Sequence, residues 1–111
     1  MKQPAIYILA NKQNGTLYIG VTSDLVKRIF QHKHGFIEGF SKKYGCTQLM
    51  YYELYETMLD AIGREKQLKS RGRKTKLALI ESNNSEWNDL SEYFFNEPGS
   101  SRPRPQDDVK P

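Results

Sequence analysis

Cysteine is nearly absent from this chain of 111 residues: Cys46 stands alone, so no disulfide framework can be built. Long apolar runs are missing as well. The first, from Ala5 to Ala10, falls far short of a membrane span, and no cleavage-site pattern follows it. Proline occurs once before residue 97, at Pro4; the other four fall in residues 97–111, where Val109 is the one aliphatic side chain. A stretch so poor in apolar groups cannot offset its ordering entropy, so residues 97–111 are expected to form a disordered tail behind a domain of residues 1–96. A chain of this size holds one domain and can bury a core without disulfides or a structural metal. No internal repeat is visible. The expectation is a soluble protein of a reducing compartment, the cytoplasm, with no membrane association.

Negative charge is the next scarcity. From Ala61 to Ile80 the one acid is Glu65, against seven bases at Arg64, Lys66, Lys69, Arg71, Arg73, Lys74 and Lys76. Residues 1–80 carry 14 Lys or Arg and six Asp or Glu, a balance of +8, whereas residues 81–96 carry four acids and no base. A body this basic favours a polyanionic partner, because phosphate contacts release condensed counterions. A basic but uncommitted surface explains the charge as well, so charge alone leaves both readings open.

Two runs rich in β-forming residues, Ala5 to Ala10 and Thr16 to Val21, flank turn chemistry at residues 11–15, which predicts a hairpin. With residues 11–14 as its loop, Ala10 faces Gly15 and Tyr7 lies opposite Tyr18, with Gly20 on the same face as Tyr18. Thr22 or Ser23 can cap a helix from Asp24 to about His34, whose apolar side is Leu25, Val26, Ile29 and Phe30. Arg28 and His32, one turn apart, border that stripe. A loop with three glycines follows, from His34 to Cys46, and carries Lys42 and Lys43. Gln48 to Tyr55 reads as a third strand with both faces partly apolar. Thr57 caps a helix from Met58 to Ser70, on which Met58, Ala61, Ile62, Glu65 and Leu68 recur at the spacing of an inward stripe. A carboxylate there needs a partner or a metal. Another helix runs from Arg73 to Ser82, and Trp87 to Phe95 forms a last short one.

The ordered set Ala5-Ile6-Tyr7, Tyr18-Ile19-Gly20, Arg28 with His32, and Arg64-Glu65-Lys66-Gln67-Leu68-Lys69 resembles the GIY-YIG endonuclease superfamily, in particular its small stand-alone branch of uncharacterised members. The resemblance runs from about residue 4 to residue 90. It implies an α+β domain with a three-stranded antiparallel sheet flanked by helices, cleaving phosphodiester bonds with one divalent cation, Mg²⁺ or Mn²⁺. Carried over by position, Tyr7 and Tyr18 are the motif tyrosines, Arg28 the catalytic arginine, and Glu65 the metal ligand. His32 matches a polar position, Gly20 the motif glycine, and Asn84, or else Asn83, the family's late asparagine.

The chemistry agrees with these roles. A hard cation suits one carboxylate with waters and phosphate completing its shell, and Arg28 can neutralise a developing oxyanion, a donor worth ~3 kcal/mol. Tyr7 beside Arg28 and a metal is expected to favour its phenolate and take a proton from water, with Tyr18 orienting phosphate or water and His32 assisting either tyrosine. Lys42, Lys43, Arg71, Arg73, Lys74 and Lys76 are candidate phosphate contacts, for DNA ahead of RNA.

Each residue also has a structural reading. Tyr7 and Tyr18 could be a cross-strand packing pair, Arg28 a surface helix residue and His32 a satisfied histidine. Glu65 could pair with Lys69 at i, i+4, Gly20 could serve close approach, and the basic run could be a solvated face. Two rival functions stay open: a DNA- or RNA-binding module that keeps the fold without turnover, and an adaptor whose acidic C-terminal region around Trp87 recruits a protein partner. Ala5 replaces the first motif glycine, and Val21 and Thr22 stand where some relatives carry a lysine.

Overall fold

The computed structural model describes residues 2–95, and the tail expected at residues 97–111 lies outside them. The β-forming runs become β1 (Ala5–Ala10), β2 (Leu17–Thr22) and β3 (Gln48–Leu54). They pair as one three-stranded antiparallel sheet in the order β2-β1-β3. Among the described residues five helices complete the expected α+β architecture: α1 (Leu25–Lys33), α2 (Phe40–Lys43), α3 (Met58–Ser70), α4 (Arg73–Asn83) and α5 (Glu92–Phe95). Among the described residues no helix is long and apolar enough to cross a membrane.

Every residue of β1 is buried because the central strand is covered on both faces. Ile6, Ile8 and Ala10 pack with Ala61 and Leu68 of α3 and Ile80 of α4 in one core. Ala5, Tyr7 and Leu9 pack with Leu25 and Ile29 of α1 in the other. Alternation along the strand divides the side chains between these two layers, so a run without polar interruption is what this position demands. The segment after α4 closes the outer edge of β3. Leu90 N–H donates to Leu49 O at 2.8 Å, and Asp89 Oδ1 accepts from Leu49 N–H at 3.0 Å. Pairing at Leu49 covers the start of an edge that would otherwise be open to association.

Several local expectations are corrected. The hairpin loop is longer than four residues: Asn11 N–H bonds Thr16 O, and Asn11 Oδ1 accepts from Thr16 N–H, so pairing begins at Ala10 with Leu17. Tyr7 therefore faces Gly20, and Tyr18 faces Leu9. The slip is even, so all three motif residues keep the face predicted for them. The cap of α1 is Asp24, which accepts from Lys27 N–H at 3.2 Å; Thr22 instead accepts from Asp24 N–H at 3.0 Å, tightening the turn before it. The segment expected as a loop contains the single turn of α2. The last helix is confined to Glu92–Phe95, and Trp87 lies outside it with φ 55° and its side chain in the α3–α4 core. In β3, Met50 is a bulged extra residue between Leu49 and Tyr51, which breaks simple alternation and turns Leu49 onto the α1 face.

Candidate active site

Tyr7 lies at the centre of the site, at the middle of β1 with its ring fully buried. The side chain has room because the partner residue on β2 is Gly20. A Cβ at that position would come within 2.3 Å of Tyr7 Oη. His32, one turn beyond Arg28 on α1, places Nε2 at 2.9 Å from Tyr7 Oη. On the other side of the imidazole, Nδ1 lies 3.1 Å from Ser41 Oγ. Both His32 and Ser41 are buried, so hydroxyl, imidazole and hydroxyl form one buried chain of hydrogen bonds. The chain has two tautomeric forms: either Tyr7 donates to Nε2 and Nδ1–H donates to Ser41, or both bonds run the other way.

Ser41 is the functional candidate that sequence reasoning missed. It belongs to α2, brought back over His32 by a segment with glycines at φ 70° (Gly35), 120° (Gly39) and 67° (Gly45), values disfavoured for side chains with a Cβ. Its neighbour Phe40 stacks on Tyr18 with ring centroids 6.3 Å apart and planes at 21°. Tyr18 in turn sits edge-on to His32 at 5.5 Å and 6.3 Å from the ring of Tyr7. Its hydroxyl has no hydrogen-bond partner among the described residues, which leaves it available to a ligand.

Electrostatics bind Arg28 and Glu65 to the same centre. Burial pushes the Tyr7 phenol up to about 12, Tyr18 and Glu65 add to the rise, and the Arg28 guanidinium opposes it. Desolvation thus outweighs Arg28 in the protein alone and favours the neutral phenol, whereas the phenolate expectation concerns the cation-bound site. Burial also lowers His32 to about 4, assisted by the Arg28 charge, so the imidazole is neutral as well. Arg28 is half-buried, with Nη1 3.5 Å from Val21 O. Glu65 approaches from α3, which packs on β2 and β1. Its side chain is 15% exposed, and Oε2 pairs with Lys69 Nζ at 3.0 Å. Glu65 thus lies on the inward stripe of α3 and also makes the i, i+4 pair.

Among the described residues no three His, Cys, Asp or Glu side chains gather as a preformed metal cage. A lone carboxylate still fits a hard cation that keeps several waters and shares the substrate's phosphate, and Glu65 Oε1 has no protein partner among the described residues.

Other candidates lie apart from the Tyr7 chain. The Asn84 amide donates to Met50 O at 3.1 Å and Asn88 O at 2.9 Å and accepts from Asn88 N–H, so it holds the end of α4 against β3. Lys42 and Lys43 flank the site on α2, the first paired with Glu38 at 2.9 Å and the second over the Tyr44 ring. Arg73 donates to Asn14 O and Gly15 O, bracing the β1–β2 loop. Arg71 and Lys74 are exposed and Lys76 half-buried around the α3–α4 junction.

Residues 3–78 match the family model of the GIY-YIG catalytic domain. A UPF0213 protein of Staphylococcus saprophyticus is 38% identical over 80 residues, covering 72% of this chain and 96% of the relative. Another, from Clostridium perfringens, is 38% identical over 77 residues, covering 69% and 82%. The solution NMR structure of a UPF0213 protein from Bacillus halodurans is similar in fold, with a TM-score of 0.50 at 23% identity over 83% of this chain and 96% of that one. With the matched span running from the strand of Tyr7 to the helix beyond Glu65, the chain belongs to the GIY-YIG catalytic-domain family of nucleases.

Proposed function

We propose that this chain is a divalent-metal-dependent endonuclease that hydrolyses phosphodiester bonds in DNA, structured or damaged DNA included. The observation that carries the reading is the convergence on Tyr7 of β1 of His32 and Arg28 from α1 and Glu65 from α3. A purely binding module has no need of a half-buried carboxylate acting on a buried phenol.

In this reading Glu65 holds the cation, Mg²⁺ or Mn²⁺, which when bound polarises the phosphate and favours loss of a proton from nearby water. Arg28 places its fork of donors on the phosphoryl oxygens as charge develops there. Burial favours the neutral Tyr7 phenol, and a cation held beside it by Glu65 would favour the phenolate. With the cation bound, the Tyr7 oxygen would take a proton from the attacking water as general base, held in place by its hydrogen bond with His32 Nε2. The tautomer in which Ser41 donates to Nδ1 leaves Nε2–H to donate to that oxygen, which makes Ser41 a positioning residue. The unbonded Tyr18 hydroxyl orients phosphate or water. Lys42, Lys43, Arg71, Lys74 and Lys76 set affinity through phosphate contacts and not base choice.

The test is incubation of the purified protein with supercoiled DNA, branched DNA and RNA, in Mg²⁺, Mn²⁺ or EDTA. Cutting of DNA that requires the metal is expected. Ser41→Ala should slow cutting with little change in binding, and Ser41→Thr should retain it. Binding without cutting in every condition would instead favour the binding module.

A further inference from the structure

Next to the Tyr7 site, and sharing Arg28 with it, the start of α1 holds an open pocket of about 160 Å³ whose walls include Lys2, Lys27, Arg28 and Gln31. These residues meet for a structural reason. A parallel bridge between Gln3 and Asp24 lays the segment before β1 against the start of α1, which carries Lys2 to Lys27. On α1 itself, Gln31 lies one turn beyond Lys27 and Arg28, so the three share a side of the helix. The side chains of Lys2 and Lys27 have no hydrogen bond or ion pair among the described residues. Asp24, the carboxylate in the wall, is committed as the α1 cap to Lys27 N–H. Three cations around one engaged carboxylate, in a concave and polar setting, concentrate a field that suits a phosphate.

We propose that this pocket is a second phosphate subsite, which holds the phosphodiester next along the strand from the one handled by Tyr7, Arg28 and Glu65. The proposal rests on the nuclease reading and deepens it. Arg28 forms the wall between the two positions, and its planar fork has donors enough to touch both phosphates. Two anchored phosphates fix the direction of the strand across the site, which a single one cannot do.

Fluorescence anisotropy with labelled oligonucleotides, in EDTA to prevent cutting, tests the subsite. Wild type is compared with Lys2→Ala, Lys27→Ala and the double variant, and with Lys12→Ala in the β1–β2 loop as a matched loss of charge. Each pocket variant should bind several-fold more weakly, and the slope of log affinity against log salt should fall by about one per lysine removed. Lys12→Ala should bind as wild type does. A double variant with wild-type affinity and slope overturns the proposal, and so does an equal loss in Lys12→Ala, which would report net charge alone. If the double variant binds and cuts normally, the subsite fails and the nuclease reading stands; a wild type that binds no oligonucleotide overturns both.

Discussion

A Cβ added at Gly20 would lie 2.3 Å from Tyr7 Oη and 2.4 Å from Cζ. The Tyr7 ring is fully buried and its hydroxyl bonded to His32, so it cannot swing aside without vacating the α1-side core. Gly20→Ala is therefore expected to lower stability by ~1–3 kcal/mol in urea unfolding and to break the Tyr7–His32 bond. Wild-type stability with an unchanged His32 imidazole NMR signal would refute this. His32 carries a second prediction. Its folded pKa is lowered from 6.5 to about 4, so between those values the unfolded chain binds a proton that the folded one refuses. The stability it contributes is present above pH 6.5 and lost as pH falls, ~2 kcal/mol by pH 5. His32→Gln should remove this slope between pH 6.5 and 5; an identical slope in both proteins would contradict the buried neutral imidazole. Tyr7, Tyr18, Arg28, His32 and Glu65 could be singled out because they stand in the order of the family motif on elements whose periodicity places them. Ser41 was not, since its approach to His32 depends on three positive-φ glycines whose angles no local pattern encodes.

Elements bring these residues together through contacts of their own. The β1–β2 loop is braced from α4 by Arg73, whose Nη2 lies 2.9 Å from Asn14 O and 2.6 Å from Gly15 O. Arg73→Ala should cost ~1 kcal/mol of stability while weakening DNA binding less than Lys74→Ala, as read by thermal melts and anisotropy. The reverse order of effects on binding would restore Arg73 as a phosphate contact. The bounds of β1 and α3, with Thr57 as the α3 cap, followed from apolar periodicity and capping chemistry. The hairpin register did not, because the Asn11 side chain closes the loop onto Thr16 and moves the first pair by two residues on β2. The β3 bulge is likewise tertiary: it puts the neighbours Met50 and Tyr51 together on the α3–α4 face, with Leu49 and Tyr52 on the α1 face, which no local alternation encodes.

Across the whole molecule, the +8 balance of residues 1–80 lies on the part that carries the site, and the acids of residues 81–96 lie beyond it. One of them, Asp89, is structural. Burial would raise its carboxyl, but Lys33, Ser91 and the Leu49 N–H hold it below the usual range, tying the C-terminal segment to α1 and β3. Such a division leaves the basic body to meet a polyanion. Charge was legible in composition, whereas the sharing of Arg28 between the Tyr7 site and the Lys2–Lys27 pocket required the fold, because residues 2 and 27 meet through the Gln3–Asp24 bridge. The central claim is that Arg28 and Glu65 act on a scissile phosphate. Its most direct test is single-turnover cleavage of end-labelled DNA in Mg²⁺ or Mn²⁺ by wild type, Arg28→Ala and Glu65→Ala, each checked for a wild-type unfolding midpoint. Metal-dependent cutting by wild type, with a loss of about 10²-fold or more in each variant, is predicted; cutting that persists at the wild-type rate in both variants would contradict it.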